Sequence, residues 1–149
     1  MLSIWTDPAF MRNVGDRGVR NLEQAQEAMA AGLMKLYSNC GYGPFLLSRA
    51  SDGAHLGICG LFKRDNLPAP DIGFSLLPAF YGQGYALEAA QAVREHARFD
   101  LNLPAITAIV DPANGPSIRL LEKLGMHRAG TYSLPGEEQV LHLYELNFD

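Results

Sequence analysis

Several features that would assign the chain to a membrane, an oxidising compartment or a nucleic acid are scarce in its sequence. No apolar run approaches the roughly 20 residues that a membrane-spanning helix needs, and we expect no secretory leader, because no charged-then-apolar segment opens the chain. The two cysteines, Cys40 and Cys59, show no metal-ligand spacing and give no disulfide framework, so a cytoplasmic location is the simplest expectation. The formal net charge of -4 argues against a nucleic-acid partner, which usually requires a basic face, but it tolerates a cationic substrate.

The residues that are present are typical of a soluble globular protein. The 149 residues are 48% apolar and 19% charged, which suits one domain with a sizeable core. The sequence contains no internal repeats, low-complexity tracts or linkers. We therefore expect a single domain over residues 1–149, with no membrane partner.

The pattern of apolar and turn residues predicts a mixed α/β fold. A capping box at Asn21 and Gln24 opens a helix that ends near "SNCGYG", and "GPFLLSRA" and "AHLGICGLF" flank "SDG" as a strand hairpin. "DIGFSLL" and "AITAIV" are two further strands, separated by a helix from about Gly84 to Phe99. A short helix capped by Gly125 follows "DPANG", and the chain ends in an antiparallel hairpin around Pro135-Gly136.

The stretch "YGQGYALEAA" places two glycines, Gly82 and Gly84, directly before strong helix formers. One interpretation is a strand-to-helix turn and nothing more. The other is an anion site, because glycines admit a phosphate close to the backbone and the first N–H groups of a helix lack internal partners. No lysine or arginine lies between Ala79 and Ala90, so such a site would bind a pyrophosphate through the backbone alone. A dinucleotide fingerprint fails because Leu87 stands where it needs glycine or alanine, and no Walker lysine follows.

This stretch and a second block further along the chain resemble one family. "IGFSLLPAFYGQGYALEA" followed by "AITAIVDPANGPSIRLLEKLGM" resembles the GNAT superfamily of acetyl-coenzyme A-dependent N-acetyltransferases, and its RimJ/RimL-like branch in particular. Gly84 and Ala86 fill the glycine and small-residue positions of that family's loop, and Tyr81 stands where glutamine or arginine is usual. Asn114 and Ser117 match the second block.

The resemblance, which runs from about Asp7 to the end of the sequence, implies a fold and a reaction. The fold would be a single α/β domain with a mixed, mostly antiparallel β-sheet flanked by helices. The reaction would be direct attack of a primary amine, on a small molecule or a peptide, at the thioester of acetyl-coenzyme A (acetyl-CoA), with no acyl-enzyme and no metal.

The resemblance also implies which residues hold acetyl-CoA. The backbone at the end of the third strand would pair with the pantetheine arm, and one of its N–H groups would stabilise the developing oxyanion. N–H groups at the glycine stretch would hold the pyrophosphate. Asn114 would bind the pantetheine amides, although an Asx turn before a helix explains the same residue. The cofactor-binding residues expected are Ser75, Leu76, Leu77, Gly82, Gln83, Gly84, Tyr85, Ala86, Asn114 and Ser117.

Two residues are candidates for moving protons. Ser117 would protonate or orient the leaving thiolate, and Asp71, where the family often has glutamate, would take a proton from the amine through a water. The alternatives are a helix-start serine and a surface aspartate that ends a "PAP" turn. Many family members use a tyrosine as general acid where this chain has Leu121, so that role does not transfer.

Other polar residues give weaker signals. The final hairpin, where substrate specificity often resides in the family, carries Glu137, Glu138 and His142. We expect the remaining histidines to be packing or surface residues; they are His55, His96 and His127. The segment "RNVGDRGVR" corresponds to one lip of the family's acceptor groove, but we favour a solvated loop for its charged residues Arg12, Asp16, Arg17 and Arg20.

The family normally begins with a strand, and this chain has only "MLSIW" ahead of "TDPAF". We therefore expect that strand to be missing or very short, which puts the strand around Pro44 to Arg49 at the sheet edge. Met1 to Trp5 could fold back as a stub strand, the edge could stay open, or a second subunit could cover it. Because "FLLS" is apolar and contains neither lysine nor proline, the sequence predicts a homodimer through this edge.

The leading functional hypothesis is an N-acetyltransferase. The main alternative is a non-catalytic acyl-CoA-binding sensor or interaction module with the same fold, because the helix tyrosine and the first strand are lacking. A dinucleotide-binding redox domain is a distant third, since its fingerprint fails.

Overall fold

The computed structural model describes residues 1–149, apart from the side chain of Asn13. The chain divides into two compact units. The first comprises Met1–Phe62 and Gly73–Ala86, and the second comprises Lys63–Ile72 and Leu87–Asp149. The expectation of a single domain over the whole sequence stays a prediction.

The first unit begins with helices. Helix α1 covers Leu2–Trp5 and α2 covers Pro8–Asn13. A longer helical segment then consists of α3 (Leu22–Ala28), a π-helical turn (Met29–Leu33) and α4 (Met34–Cys40).

The two predicted capping residues start α3, with the Gln24 side chain bound one residue before the N-cap Asn21. Oδ1 of Asn21 accepts a hydrogen bond from the backbone N–H of Gln24 at 2.9 Å, and the Gln24 side chain accepts from the N–H of Arg20 at 2.7 Å. At the far end, Gly41 adopts the left-handed backbone (φ 77°) that ends α4. The helix expected between "GVRNLEQAQEAM" and "SNCGYG" is confirmed.

The stub strand considered for Met1 to Trp5 is wrong, because Leu2–Trp5 is helical. The neighbouring residues Ile4 and Trp5 are both buried in the core of the first unit, where a strand would point them to opposite faces. The other buried members of that core are Phe10, Val19, Ala25 and Ile58. Among the described residues the sheet therefore begins later in the chain, while the loss of an opening strand relative to the family stays a prediction.

Six strands form one sheet in the order β1-β2-β3-β4-β6-β5. Their bounds are β1 Pro44–Ser48, β2 His55–Phe62, β3 Asp71–Leu76, β4 Ala105–Val110, β5 His127–Tyr132 and β6 Leu141–Asn147. β1 pairs antiparallel with β2, and β6 pairs antiparallel with both β4 and β5, whereas β3 and β4 run parallel. The mixed, mostly antiparallel sheet and both hairpins are confirmed, and β1 lies at an edge of the sheet as expected.

Helices follow β3 and β4 at the predicted places. A 3-10 turn over Pro78–Phe80 precedes α5 (Tyr85–Glu95), which continues as a π-helical turn over His96–Asp100. Helix α6 covers Gly115–Lys123, and Gly125 follows it with a φ of 88°, the left-handed end that the sequence predicted. No helix in the described part of the chain is long and apolar enough to cross a membrane.

The core of the second unit is drawn from its strands and both of its helices. Its buried apolar residues are Ile72, Ala90, Val93, Ala97, Ile106, Ala108, Val110, Leu121, Leu124, Met126 and Tyr144. Strand β4 is buried along most of its length, as predicted for "AITAIV".

Candidate functional site

The glycine stretch forms a loop in which left-handed glycines flank a residue of ordinary backbone. Gly82 and Gly84 both have left-handed backbones, with φ of 71° and 85°, whereas Gln83 between them does not. Successive residues of alternating hand point their N–H groups into a common concavity, an arrangement called a nest, which binds anions. A Cβ added at either glycine would meet nothing within 4 Å, so the loop is open on that side. The left-handed turn therefore requires the glycines, and its alternating backbone is of the kind from which anion-binding nests are built.

Close packing of β2 on β3 fixes the end of β3, where the loop begins. A Cβ on Gly57 of β2 would lie 2.0 Å from the carbonyl oxygen of Ser75, so only glycine allows this approach. The N–H of Leu77 donates to the carbonyl of Leu56 at 2.8 Å. The N–H of Leu77 is thus already used within the sheet. Because N–H groups alternate in direction along a strand, the N–H of Leu76 points away from β2.

An arginine from a distant part of the sequence lies against the ends of the glycine loop. The guanidinium carbon of Arg49, which follows β1, sits 5.5 Å from the centroid of the Phe80 ring. Phe80 and Tyr85 meet edge to face, with centroids 6.4 Å apart and planes at 77°. Hydrogen bonds to Asp52 and then to Tyr85 raise the pKa of Arg49 above its usual value. We call Arg49, Asp52, Phe80 and Tyr85 the loop clamp; sequence reasoning missed it because no local pattern links these positions.

In the second unit, Asn114 and Ser117 contact each other at the start of α6. Oδ1 of Asn114 accepts from the backbone N–H of Ser117 at 3.3 Å, so Asn114 is the N-cap of this helix. A local structural role for Asn114 is therefore present, as an N-cap contact to the third residue on rather than the Asx turn considered as the alternative. Ser117 lies one helical turn before Leu121, which is buried, and the two side chains share a face of the helix.

Asp71 is buried, with 2% of its surface exposed, so the surface aspartate considered as an alternative is wrong. Its Oδ2 accepts from Nε of Arg64 at 2.7 Å, and its buried Oδ1 makes no hydrogen bond of ordinary length within the described residues. Burial raises the pKa of Asp71 to about 6, against the opposing effect of Arg64 and a smaller one from the Ile109 backbone. Thr107, opposite Asp71 on β4, is also buried. A carboxyl of this kind can exchange a proton close to neutral pH.

The histidines fall into two groups. Three are half-buried or exposed and have local partners: His55 beside Ser48, His96 beside Asp100 and His127 beside Glu145. They are surface residues, one of the two outcomes expected. His142 differs, because its Nδ1 is buried without a hydrogen-bond partner among the described residues, opposite Val110 at the end of β4. Glu137 and Glu138 are exposed in the loop that precedes β6.

The charged loop before α3 is held by an ion pair. Asp16 accepts from the guanidinium of Arg20 at 2.6 and 2.9 Å and from the N–H of Gly18 at 2.8 Å. These contacts lower the pKa of Asp16 to about 2, with Arg20 the larger cause. Arg12 and Arg17 are exposed in the same segment. The loop is solvated, the interpretation that the sequence favoured, and its part in an acceptor groove stays a prediction.

No metal cluster occurs in the described part of the chain: no three side chains of His, Cys, Asp or Glu gather closely enough to hold an ion.

Comparison with known proteins identifies relatives of this chain. A sequence model of the acetyltransferase (GNAT) domain matches residues 1–127. The chain is 42% identical over 62 residues to the "Uncharacterized N-acetyltransferase YnaD" of Bacillus subtilis (strain 168), covering 42% of this chain and 36% of that protein. It is 39% identical over 88 residues to the "Probable N-acetyltransferase YjcK" of the same organism, covering 58% and 49%. The chain therefore spans less than half the length of these curated relatives.

Solved structures share the fold over nearly the whole chain. An acetyltransferase from Agrobacterium tumefaciens str. C58 superposes with a TM-score of 0.79 at 24% identity, covering 99% of this chain and 82% of that one. A spermidine N-acetyltransferase from Vibrio cholerae, in complex with CoA and spermine, gives 0.78 at 15% identity, covering 98% and 86%. At these identities the likeness concerns the fold.

Proposed function

This chain belongs to the GNAT acetyltransferase family, and on that premise we propose that it is an N-acetyltransferase that moves an acetyl group from acetyl-CoA to a primary amine. The observation that carries the proposal is the open glycine loop before α5, whose alternating backbone would present a nest of N–H groups to a pyrophosphate. Acetyl-CoA would supply a thioester: the amine nitrogen bonds to its carbonyl carbon, and the carbon–sulfur bond breaks to give an amide and free coenzyme A.

The residues of the loop fit this ligand without any cation of their own. The N–H groups of Gly82, Gln83, Gly84, Tyr85 and Ala86 would share the phosphate charge with the positive end of the α5 dipole. Of the three positions predicted at the end of β3, Leu76 is the best oxyanion donor, because Leu77 already donates to Leu56. The carbonyl of Leu77 accepts from the N–H of Phe80 at 3.0 Å and has a second lone pair for a pantetheine amide, whereas the contact of Ser75 with the pantetheine arm stays a prediction.

Asn114 can combine its helix cap with a ligand contact. The cap uses Oδ1, and the Nδ2 group of the same side chain carries two N–H donors, one of which could bind a pantetheine carbonyl. Ser117, three residues on, would protonate or orient the leaving thiolate.

Asp71 suits the role of general base. With a pKa of about 6 it is mostly ionised at neutral pH and still basic enough to accept a proton in the transition state. Because only 2% of the residue is exposed, the proton would reach it through a water rather than by direct contact with a bulky amine. The unpartnered Oδ1 is the atom that would receive it.

The acceptor is a primary amine of a small molecule or of a protein N-terminus. The net charge of -4 favours a cationic amine, and one structure of the same fold is a spermidine N-acetyltransferase. The loop sequence "YGQGYALEA" supports a place in the RimJ/RimL-like branch. A homodimer and a cytoplasmic location, expected from the sequence, stay predictions.

Two measurements test the proposal. Calorimetry with coenzyme A tests the ligand, and release of free thiol from acetyl-CoA in the presence of polyamines, amino-acid derivatives or peptides tests the reaction. Binding of coenzyme A without turnover of any amine would favour the acyl-CoA-binding module instead. Failure to bind coenzyme A would remove both functions.

A further inference from the structure

We propose that Arg49 is a positioning residue for the phosphate-binding loop: together with Asp52 it holds Phe80 and Tyr85 in contact and thereby sets the direction of the N–H groups between them. This inference rests on the proposed function, because it assigns to the loop clamp a role in binding the phosphates of coenzyme A.

The loop needs such support because its own residues supply little rigidity. Glycine is the most permissive backbone residue, and two of the four residues between Phe80 and Tyr85 are Gly82 and Gly84. The shape of the nest therefore depends on how the two ends of the loop are held. Phe80 is the last residue of the 3-10 turn and Tyr85 is the first of α5, so their edge-to-face contact closes the loop at its base.

Arg49 joins this aromatic pair to a part of the first unit that is itself held by several hydrogen bonds. The N–H of Arg49 donates to Ala54 at 2.8 Å, and its carbonyl accepts from Gly53 at 2.7 Å, which fixes the end of the β1–β2 hairpin. Asp52 accepts from the N–H of Ala54 at 3.1 Å and from Nε of Arg49 at 2.9 Å. The guanidinium is thus oriented on one side by Asp52 while its face covers Phe80, and the neighbouring Tyr85 hydroxyl contributes to the raised pKa of Arg49.

The geometry needs arginine rather than a positive charge alone. A guanidinium is planar, so its edge can bind a carboxylate in a fork while its face rests on a ring, whereas an ammonium group cannot do both. Asp52 also matters electrostatically, because without Arg49 its carboxylate would stand unpaired beside a loop that binds phosphate. Both effects predict weaker binding of coenzyme A when Arg49 is replaced.

The test compares coenzyme A with pantetheine, which lacks the phosphates. We expect Arg49→Gln to weaken coenzyme A binding about tenfold, the order of one lost cation–π contact and its orientation, and to change pantetheine binding by less than about twofold. With acetyl-CoA as substrate, KM should rise while kcat stays near that of the parent. Arg98→Gln is the matched control, because Arg98 covers Phe99 at 5.0 Å on the second unit and no role is assigned to it.

Three further variants separate the causes. Arg49→Lys should remain weak, since it keeps the charge and loses the fork; full recovery would mean that Arg49 acts only as a charge and would overturn the positioning role. The double change Arg49→Gln with Asp52→Asn should recover only part of the binding, the part caused by the unpaired carboxylate. Should Arg49→Gln fail to fold, Tyr85→Phe removes one hydroxyl contact and should weaken coenzyme A, and not pantetheine, by about threefold.

The outcomes distinguish this inference from the function on which it rests. A parent protein that does not bind coenzyme A removes the proposed function and the inference together. A parent that binds, with Arg49→Gln or Tyr85→Phe indistinguishable from Arg98→Gln, overturns the inference alone. Equal losses for coenzyme A and pantetheine would also overturn it, because the clamp would then be a general structural element.

Discussion

Replacing Asp71 by Asn should stabilise the protein at neutral pH and lower its activity at least about a hundredfold. Asn has the same shape and keeps an oxygen that can accept from Arg64, but it carries no charge in a site where 2% of the residue is exposed. The structure raises the pKa of Asp71 from 3.8 to about 6. That difference corresponds to about 3 kcal/mol of unfolding free energy at high pH.

The sign of the effect follows from proton binding. Between about pH 4 and pH 6 the folded protein binds more of this proton than the unfolded chain does, so stability falls as pH rises through that window. The stabilisation that comes from this extra proton binding is fully present below about pH 4 and is lost above about pH 6. Asn does not titrate, so the variant should gain on the parent as pH rises. Roughly half of the difference in unfolding free energy between variant and parent has developed at pH 5. That stability gap should widen by about 1.5 kcal/mol between pH 5 and pH 8.

Urea denaturation at several pH values measures this gap, and the pH profile of kcat/KM measures the catalytic role. If Asp71 is the base, the parent should lose activity as pH falls through about 6, because protonation removes the acceptor. The variant should lose that limb and between 10²- and 10⁴-fold in kcat, as is typical for a general base. Asp65→Asn, an exposed carboxylate in the same segment, is the control for net charge.

Two results would refute the reasoning separately. A stability gap that does not change with pH would show that the pKa of Asp71 is not raised. A variant that retains both its activity and the fall of kcat/KM at low pH would show that the buried pair of Asp71 and Arg64 is only structural. Another base would then be required, and His142, with its buried Nδ1, would be the next residue to replace.

Four shorter predictions concern the cofactor, the thiolate and the sheet edge. Gly84→Val should strain the left-handed backbone and crowd a phosphate. Gly84→Asn, which tolerates that backbone, should fold normally and still bind coenzyme A weakly. If calorimetry finds that both variants bind coenzyme A as tightly as the parent, the loop is only a turn. Asn114→Asp should keep the helix cap and the Tm but lose affinity for coenzyme A, while an unchanged affinity would leave Asn114 as a cap alone. Ser117→Ala should lower kcat with cofactor affinity nearly unchanged, and a drop below about threefold would remove Ser117 from the mechanism. Light scattering at low micromolar concentration should show a dimer that Leu46→Lys, at a residue 49% exposed on β1, converts to a monomer; a parent that is already monomeric would contradict this.

Local sequence patterns were sufficient to predict most of the fold. The capping residue Asn21 and the glycines Gly41 and Gly125 mark helix ends because their conformations depend on nearby backbone alone. The strands follow from short apolar runs between turn residues, and β4 was recognisable because both of its faces are apolar. Gly82 and Gly84 belong to the same class, since the left-handed turn that they form is a property of the loop itself.

Features that depend on distant pairing could not be predicted in this way. Asp71 follows a "PAP" turn and has the sequence context of a surface residue, yet pairing with Thr107 on β4 and contact with Arg64 bury it. Met1 to Trp5 resembles a short strand by composition, but the core of the first unit takes Ile4 and Trp5 from a helix. The loop clamp is the clearest case, because Arg49 lies more than 30 residues from the ring that it covers.

A structural explanation for a residue does not compete with a functional one when the two use different atoms. Asn114 caps α6 with Oδ1, and the proposed ligand contact uses Nδ2, so the cap would hold that donor in a fixed place. The glycine loop is a similar case, since its left-handed backbone makes the turn and the proposed phosphate contacts would use its N–H groups. A deletion to alanine at such a position removes both roles and cannot separate them. Substitutions that keep one set of atoms and change the other, as Asp does at position 114 and Asn at position 84, are therefore the ones that can decide what these residues do.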